Sequence, residues 1–162
     1  HPMCTSKAED FTEGSTFHRI RWDDAERGSN STLTLKPDAE IKRVVMCSGK
    51  VYFDLLAERD ARGLDDTYIL RVEQLYPLPT QSLRQELARF KDAEMVWCQE
   101  EPKNQGAWTF IEPNIEWVLS RIKAKHTRPQ YVGRATSASP ATGLASQHKA
   151  QQAALVNDAL SI

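Results

Sequence analysis

From Ile41 onward the apolar residues come in two alternating rhythms. Lys42 to Cys47 is a short β-rich run suited to a buried strand. Over Lys50 to Arg62 the apolar positions Val51, Tyr52, Leu55 and Leu56 recur at helical spacing, and Gly63 follows as a C-cap. Thr67 to Val72 predicts a second strand. Thr80 to Phe90 predicts a second helix with Leu83, Leu87 and Phe90 on one face, and Ala93 to Cys98 a third strand. Pro113 fits the first turn of a third helix, whose Ile115, Val118, Leu119 and Ile122 make an inward stripe while Arg121, Lys123 and Lys125 load its final turn. Gln130 to Arg134 reads as a fourth strand. A turn of small residues then leads into a final helix from about Leu144 to Leu160.

Strands alternating with helices predict an α/β fold of three layers, α/β/α, around a mostly parallel sheet, because parallel neighbours need long crossover connections. Residues 1–40 differ: apart from Phe17-His18-Arg19-Ile20 and Leu33-Thr34-Leu35 they lack apolar periodicity and read as an irregular linker, loosest from Asp24 to Thr32. The α/β domain is therefore assigned to 41–162.

The chain has 162 residues, enough for one domain with a real core. A net charge of −1 gives no overall attraction to nucleic acid or an anionic membrane, so any binding patch is local. No apolar stretch approaches the roughly 20 residues that span a bilayer. The start at His1-Pro2 shows no secretory pattern and reads as mid-sequence, which removes evidence about targeting and leaves the cytoplasm as the default. Cys4, Cys47 and Cys98 are an odd number, two of them in strand patterns, and read as reduced thiols.

Ser48-Gly49-Lys50 follows a strand and opens a helix, so its backbone N–H groups and the Lys50 ammonium could receive a phosphate. The alternative is that Ser48 caps the helix, Gly49 relieves the turn and Lys50 faces water. Arg71 and Gln74 close the next strand on the same sheet edge and could complete an anion pocket, or merely cap and pair around a connection stiffened by Pro77 and Pro79. Glu100 and Glu101 are adjacent in sequence and so point apart, which argues against an acid–base pair. Cys98 and Cys47 have no obvious histidine partner, and the histidines and cysteines lack metal-ligand spacing. Arg121, Lys123, Lys125, His126, Arg128 and Arg134 form the densest basic segment, but with only Trp117 and Tyr131 close by it reads as a solvated helix end, with no nucleic acid partner. Ser137 to Gly143 is either a tight interface loop or a plain connection.

Four ordered stretches carry a family resemblance: Val44 to Tyr52; Val72 to Pro79; Val96 to Trp108; and Tyr131-Val132-Gly133-Arg134 with Ser137 to Gly143 and the closing Leu155 to Ala159. From about Ile41 to the end the chain resembles the C-terminal end of the thiamine-diphosphate-dependent first component of the 2-oxoglutarate dehydrogenase complex. The resemblance implies a transketolase C-terminal-like domain whose mixed sheet contains one antiparallel strand, with 1–40 leading in from a preceding pyrimidine-binding domain. It implies a parent homodimer that decarboxylates 2-oxoglutarate in the citric acid cycle, using thiamine diphosphate and Mg, and passes succinyl to lipoyl-lysine. The partners so implied are dihydrolipoyl succinyltransferase and dihydrolipoyl dehydrogenase, in a bacterial cytoplasm or a mitochondrial matrix.

For individual residues the resemblance implies an AMP or acetyl-coenzyme A regulatory site at Ser48, Lys50, Arg71 and Gln74. It also implies an interface and support turn through Glu100, Glu101, Asn104, Gln105 and Gly106. No Gly-Asp-Gly occurs in the chain, so the family's diphosphate-metal motif is missing and no catalytic residue is assigned. The rival reading is a freestanding α/β module for nucleotides or acyl-coenzyme A, and a small thiol enzyme is a third.

Overall fold

Five strands make one sheet in the order β1 (Ile20–Arg21), β3 (Thr67–Val72), β2 (Arg43–Cys47), β4 (Glu94–Pro102) and β5 (Gln130–Arg134). The computed structural model describes residues 3–161 apart from 7, 13 and 29, and the backbone but not the side chains of 9 and 10. His1-Pro2, Ser29 of the polar stretch and Ile162 thus lie outside the described residues.

Neighbours β3, β2, β4 and β5 pair in parallel. Their alternating side chains divide the core between two faces. Val44, Met46, Tyr68, Leu70, Met95 and Trp97 pack against α3 (Thr80–Leu87) and α4 (Trp108–Ile122). Val45, Cys47, Ile69, Val96 and Cys98 pack against α2 (Val51–Arg62) and α5 (Ala145–Leu160). The result is the three-layer, mostly parallel α/β/α arrangement that the alternation of strands and helices predicts. The inward stripes of α2, α3 and α4 are buried as their spacing requires, and Gly63 caps α2 at φ 63°.

Several boundaries differ from the sequence reading. Pro113 is the sixth residue of α4, not part of its first turn, because Trp108 and Ile111 extend the buried stripe backwards. The proline sits on the exposed face, where the carbonyl it leaves without an intrahelical donor can turn to water. Strand β4 runs past Cys98 to Pro102, since Pro102 pairs with Arg134 across an irregular register and Lys103 N donates to Arg134 O at 3.0 Å.

The antiparallel strand comes from the segment read as linker. Ile20 pairs with Val72 and Arg21 with Arg71, and Asp24–Arg27, in the stretch expected to be loosest, form a helical turn, α1. Asp23 and Arg59 are fully buried and ion-paired. Asp23 Oδ2 also accepts from Ile69 N at 2.7 Å and Oδ1 from Ala25 N at 2.9 Å, while Tyr52 Oη accepts from Asp24 N at 2.9 Å. Burial pushes the Asp23 carboxyl above its ordinary range while Arg59 pulls it back. This segment is anchored to the sheet by a buried charge pair.

Candidate functional site

In a parallel sheet the carboxyl ends of the strands gather turns and helix starts along one edge, and the candidate residues converge there. Cys47 lies opposite both Arg71 and Cys98, and Cys98 opposite Val132. The Ser48 turn, the end of β3, the end of β4 and Arg134 of β5 therefore stand in a row.

At the Ser48 turn, the residue capping α2 is Lys50, and no side chain caps the helix; Ser48 does not play that part. Lys50 does not simply face water. Its Nζ donates to Glu100 Oε1 at 2.8 Å and lies 3.8 Å from Asp54 Oδ2, and the hydrogen bond to Glu100 holds the ammonium pKa above its ordinary value. The Arg71 guanidinium stacks 4.7 Å over the Tyr52 ring and 5.3 Å over Phe53, in the first turn of α2, and pairs with Glu73. Ser48, Lys50 and Arg71 thus surround the start of α2. Gln74 belongs to the next turn instead, its amide donating to Pro77 O.

The second group is organised by a residue that the sequence reading missed. Gln99 is buried, and both ends of its amide are occupied. Its Oε1 accepts from Trp97 Nε1 and from Trp108 N, each at 3.0 Å; its Nε2 donates to Gln105 O at 2.8 Å, Pro102 O at 3.2 Å and Glu101 O at 3.3 Å. One side chain therefore holds the end of β4, the turn and the start of α4. The period-two alternation was a signal for it: Met95, Trp97 and Gln99 fall on one face, which places an amide in an apolar row.

Around that amide, Asn104 makes a reciprocal pair with Ser137, Nδ2 donating to its carbonyl at 2.9 Å and Oδ1 accepting from its N–H at 3.0 Å. Gln105 Nε2 donates to the same carbonyl at 3.2 Å. Gly106 has φ 66°, and a Cβ there would lie 3.0 Å from both Gln99 Nε2 and Glu101 Cβ, so no other residue fits without strain. Glu100 turns to Lys50 while Glu101 is exposed, as adjacent strand residues must.

The cysteines are poor nucleophiles. Cys47 and Cys98 are both wholly buried; burial pushes the Cys98 thiol up to about 12, with Glu100 adding to it, and raises Cys47 well above its ordinary value. Among the described residues no three His, Cys, Asp or Glu are grouped to hold a metal ion. The basic segment is dispersed: Arg128 lies 3.5 Å from Glu112 and 3.6 Å from Glu116, Arg121 stacks over Trp117, and Arg134 faces α5. No described helix is long and apolar enough to cross a membrane.

Residues 5–160 match the family model described as 2-oxoglutarate dehydrogenase C-terminal. The chain belongs to that family. Curated relatives in the 2-oxoglutarate dehydrogenase C-terminal family include the proteins named "2-oxoglutarate dehydrogenase E1 component" from Brucella anthropi, Brucella ovis and Brucella abortus. Each is 58% identical over 160 residues, covering 99% of this chain. The chain spans 16% of the length of each of these relatives.

Proposed function

We propose that the chain works as the C-terminal domain of a 2-oxoglutarate dehydrogenase first component. The observation that carries this reading is 58% identity over 99% of the chain to proteins of that name, together with its 16% share of their length. In this reading the parent decarboxylates 2-oxoglutarate with thiamine diphosphate and Mg and delivers succinyl to lipoyl-lysine on dihydrolipoyl succinyltransferase, with dihydrolipoyl dehydrogenase completing the cycle. In this reading its setting is a bacterial cytoplasm, which the Brucella relatives support.

Thiamine diphosphate does not fit the described residues, which offer neither a metal-ligand group nor Gly-Asp-Gly, so we derive no catalytic step from this chain. Its contribution is structural. The Gln99-centred turn, with Glu100, Glu101, Asn104, Gln105 and Gly106, presents a fixed shape to the neighbouring parts of a homodimer. Ser48, Lys50 and Arg71, with Gln74 at the next turn, would form the regulatory site for AMP or acetyl-coenzyme A. Lys50 is more than half exposed in its pair with Glu100, and such surface pairs contribute only about 0–1 kcal/mol. A phosphate can therefore displace the carboxylate at little cost.

The test is a hybrid in which this chain replaces the matching end of the Brucella anthropi enzyme. The hybrid is expected to decarboxylate 2-oxoglutarate with thiamine diphosphate and Mg, and the chain alone to do nothing under the same conditions. A folded but inactive hybrid, or turnover by the chain alone, would overthrow the reading. Activation of the hybrid by acetyl-coenzyme A that survives Lys50→Ala would remove Lys50 from the regulatory site.

A further inference from the structure

The loop from Ser137 to Gly143 borders a cavity of about 420 Å³ between the end of β5 and α5. This volume is in the range of small-ligand sites. Among the described residues lining it, Arg134 is the only charged one. Three lining residues each carry a buried polar atom without a hydrogen-bond partner: Arg134 Nε, Thr142 Oγ1 and Gln151 Oε1. Native proteins leave few such atoms unpaired, and three around one cavity are the complement of a polar ligand.

The chemistry of the three atoms narrows the ligand. Arg134 Nε is a positively charged donor, the Thr142 hydroxyl can donate or accept, and the Gln151 carbonyl oxygen only accepts. Arg134 is held in place through Nη2, which lies 3.1 Å from His148 Nδ1 and donates to Gln152 Oε1 at 3.1 Å. Those two partners are an imidazole nitrogen and an amide oxygen, not carboxylates, so they orient the guanidinium without cancelling its charge. Gln152 is fixed in turn by donating to Asp54 Oδ2 at 2.9 Å. A fixed Arg edge with a neighbouring hydroxyl recognises an oxyanion. With Gln151 Oε1 facing the cavity as an acceptor, an oxyanion that also brings a proton satisfies all three atoms at once.

We infer that this cavity binds a small oxyanion carrying its own hydrogen-bond donor, as hydrogen phosphate or a hydroxycarboxylate does. The site stands at the β5 end of the sheet edge and uses none of Ser48, Lys50, Arg71 or Gln74.

The experiment is calorimetric titration of the full chain with four probes: inorganic phosphate and sulfate, then lactate and acetate. Phosphate or lactate is expected to bind saturably, and its donor-free counterpart about tenfold more weakly, because a second bare oxygen would face Gln151 Oε1. Thr142→Val is expected to weaken the bound probe about three- to tenfold. Gln151→Leu is expected to erase the preference for the proton-bearing probe, and Arg134→Gln to abolish binding. The titrations are made in the Lys50→Ala background, so that phosphate binding at the Ser48 turn does not contribute. The first two variants alter a loop residue and a partly exposed helix residue, so they remain informative if Arg134→Gln fails to fold. Preference for phosphate over sulfate assigns the site to phosphate chemistry, and preference for lactate over acetate to hydroxycarboxylates. No saturable binding, equal affinity within both pairs, or binding that survives Arg134→Gln would each overturn the proposal.

Discussion

Gln99 shows how one buried amide can set the shape of a surface turn. Leucine at this position would keep most of the volume, but it would leave the Trp97 indole N–H, the Trp108 N–H and the Gln105 carbonyl without partners. Each buried unpaired group costs about 1–3 kcal/mol. Gln99→Leu is therefore expected to lower stability by about 3 kcal/mol or more in urea unfolding; a loss below about 1 kcal/mol would mean that the turn does not depend on this amide. The residue was recognisable in outline from strand alternation. Its partners were not, because three of its five contacts are to main-chain carbonyls, which no side-chain pattern encodes. The same holds for the Asn104–Ser137 pair, which joins residues far apart in sequence through main-chain atoms.

At the scale of elements, periodicity located β2, β3, β5 and the inward faces of α2, α3 and α4, because burial on one face imposes a repeat. It did not find β1, whose two residues are too short to show any repeat, and it stopped β4 at Cys98 because the charged residues that follow are held in the strand by β5 rather than by burial. Nor could it find the partnership of Asp23 with Arg59, in which two charged residues look solvated until the fold brings them together. Removing Asp23 would leave Arg59 its second carboxylate, Asp60 Oδ1 at 2.9 Å, whereas removing Arg59 leaves the Asp23 carboxylate buried without a cation, at a cost of about 3–5 kcal/mol. Arg59→Leu is expected to destabilise by that amount, and Arg59→Leu with Asp23→Ala by clearly less. A double variant no more stable than the single one, measured by the same unfolding transition, would show that the charge pair is not what holds β1 in place.

For the whole molecule, the thiols give a pH dependence with a definite sign. Cys47 and Cys98 have an ordinary pKa of 9.0, and both are raised in the folded chain, Cys98 to about 12. Between pH 9 and 12 the unfolded chain therefore binds fewer protons than the folded one. Stability from these groups is complete below pH 9 and falls as pH rises toward 12, by at most about 1.4 kcal/mol per pH unit for each thiol. The raised Lys50 ammonium acts in the same direction at still higher pH. Urea midpoints measured from pH 8 to 11 are expected to decline, and Cys47→Ala with Cys98→Ala to flatten the decline below pH 10, above which the Tyr52, Tyr68 and Tyr131 phenols, all raised by burial, add to it. At neutral pH a thiol reagent should modify only the exposed Cys4 in the native chain and all three cysteines in denaturant; rapid reaction at Cys98 in the native chain would revive the thiol-enzyme reading.

The anchoring of Asp23 also bears on how the polypeptide behaves when it is cleaved. Residues 30, 32 and 34, between that anchor and β2, are exposed, so a protease would meet them readily. The severed front piece would nevertheless stay bound through its strand and its buried carboxylate, and the two pieces would travel together as one particle until denatured.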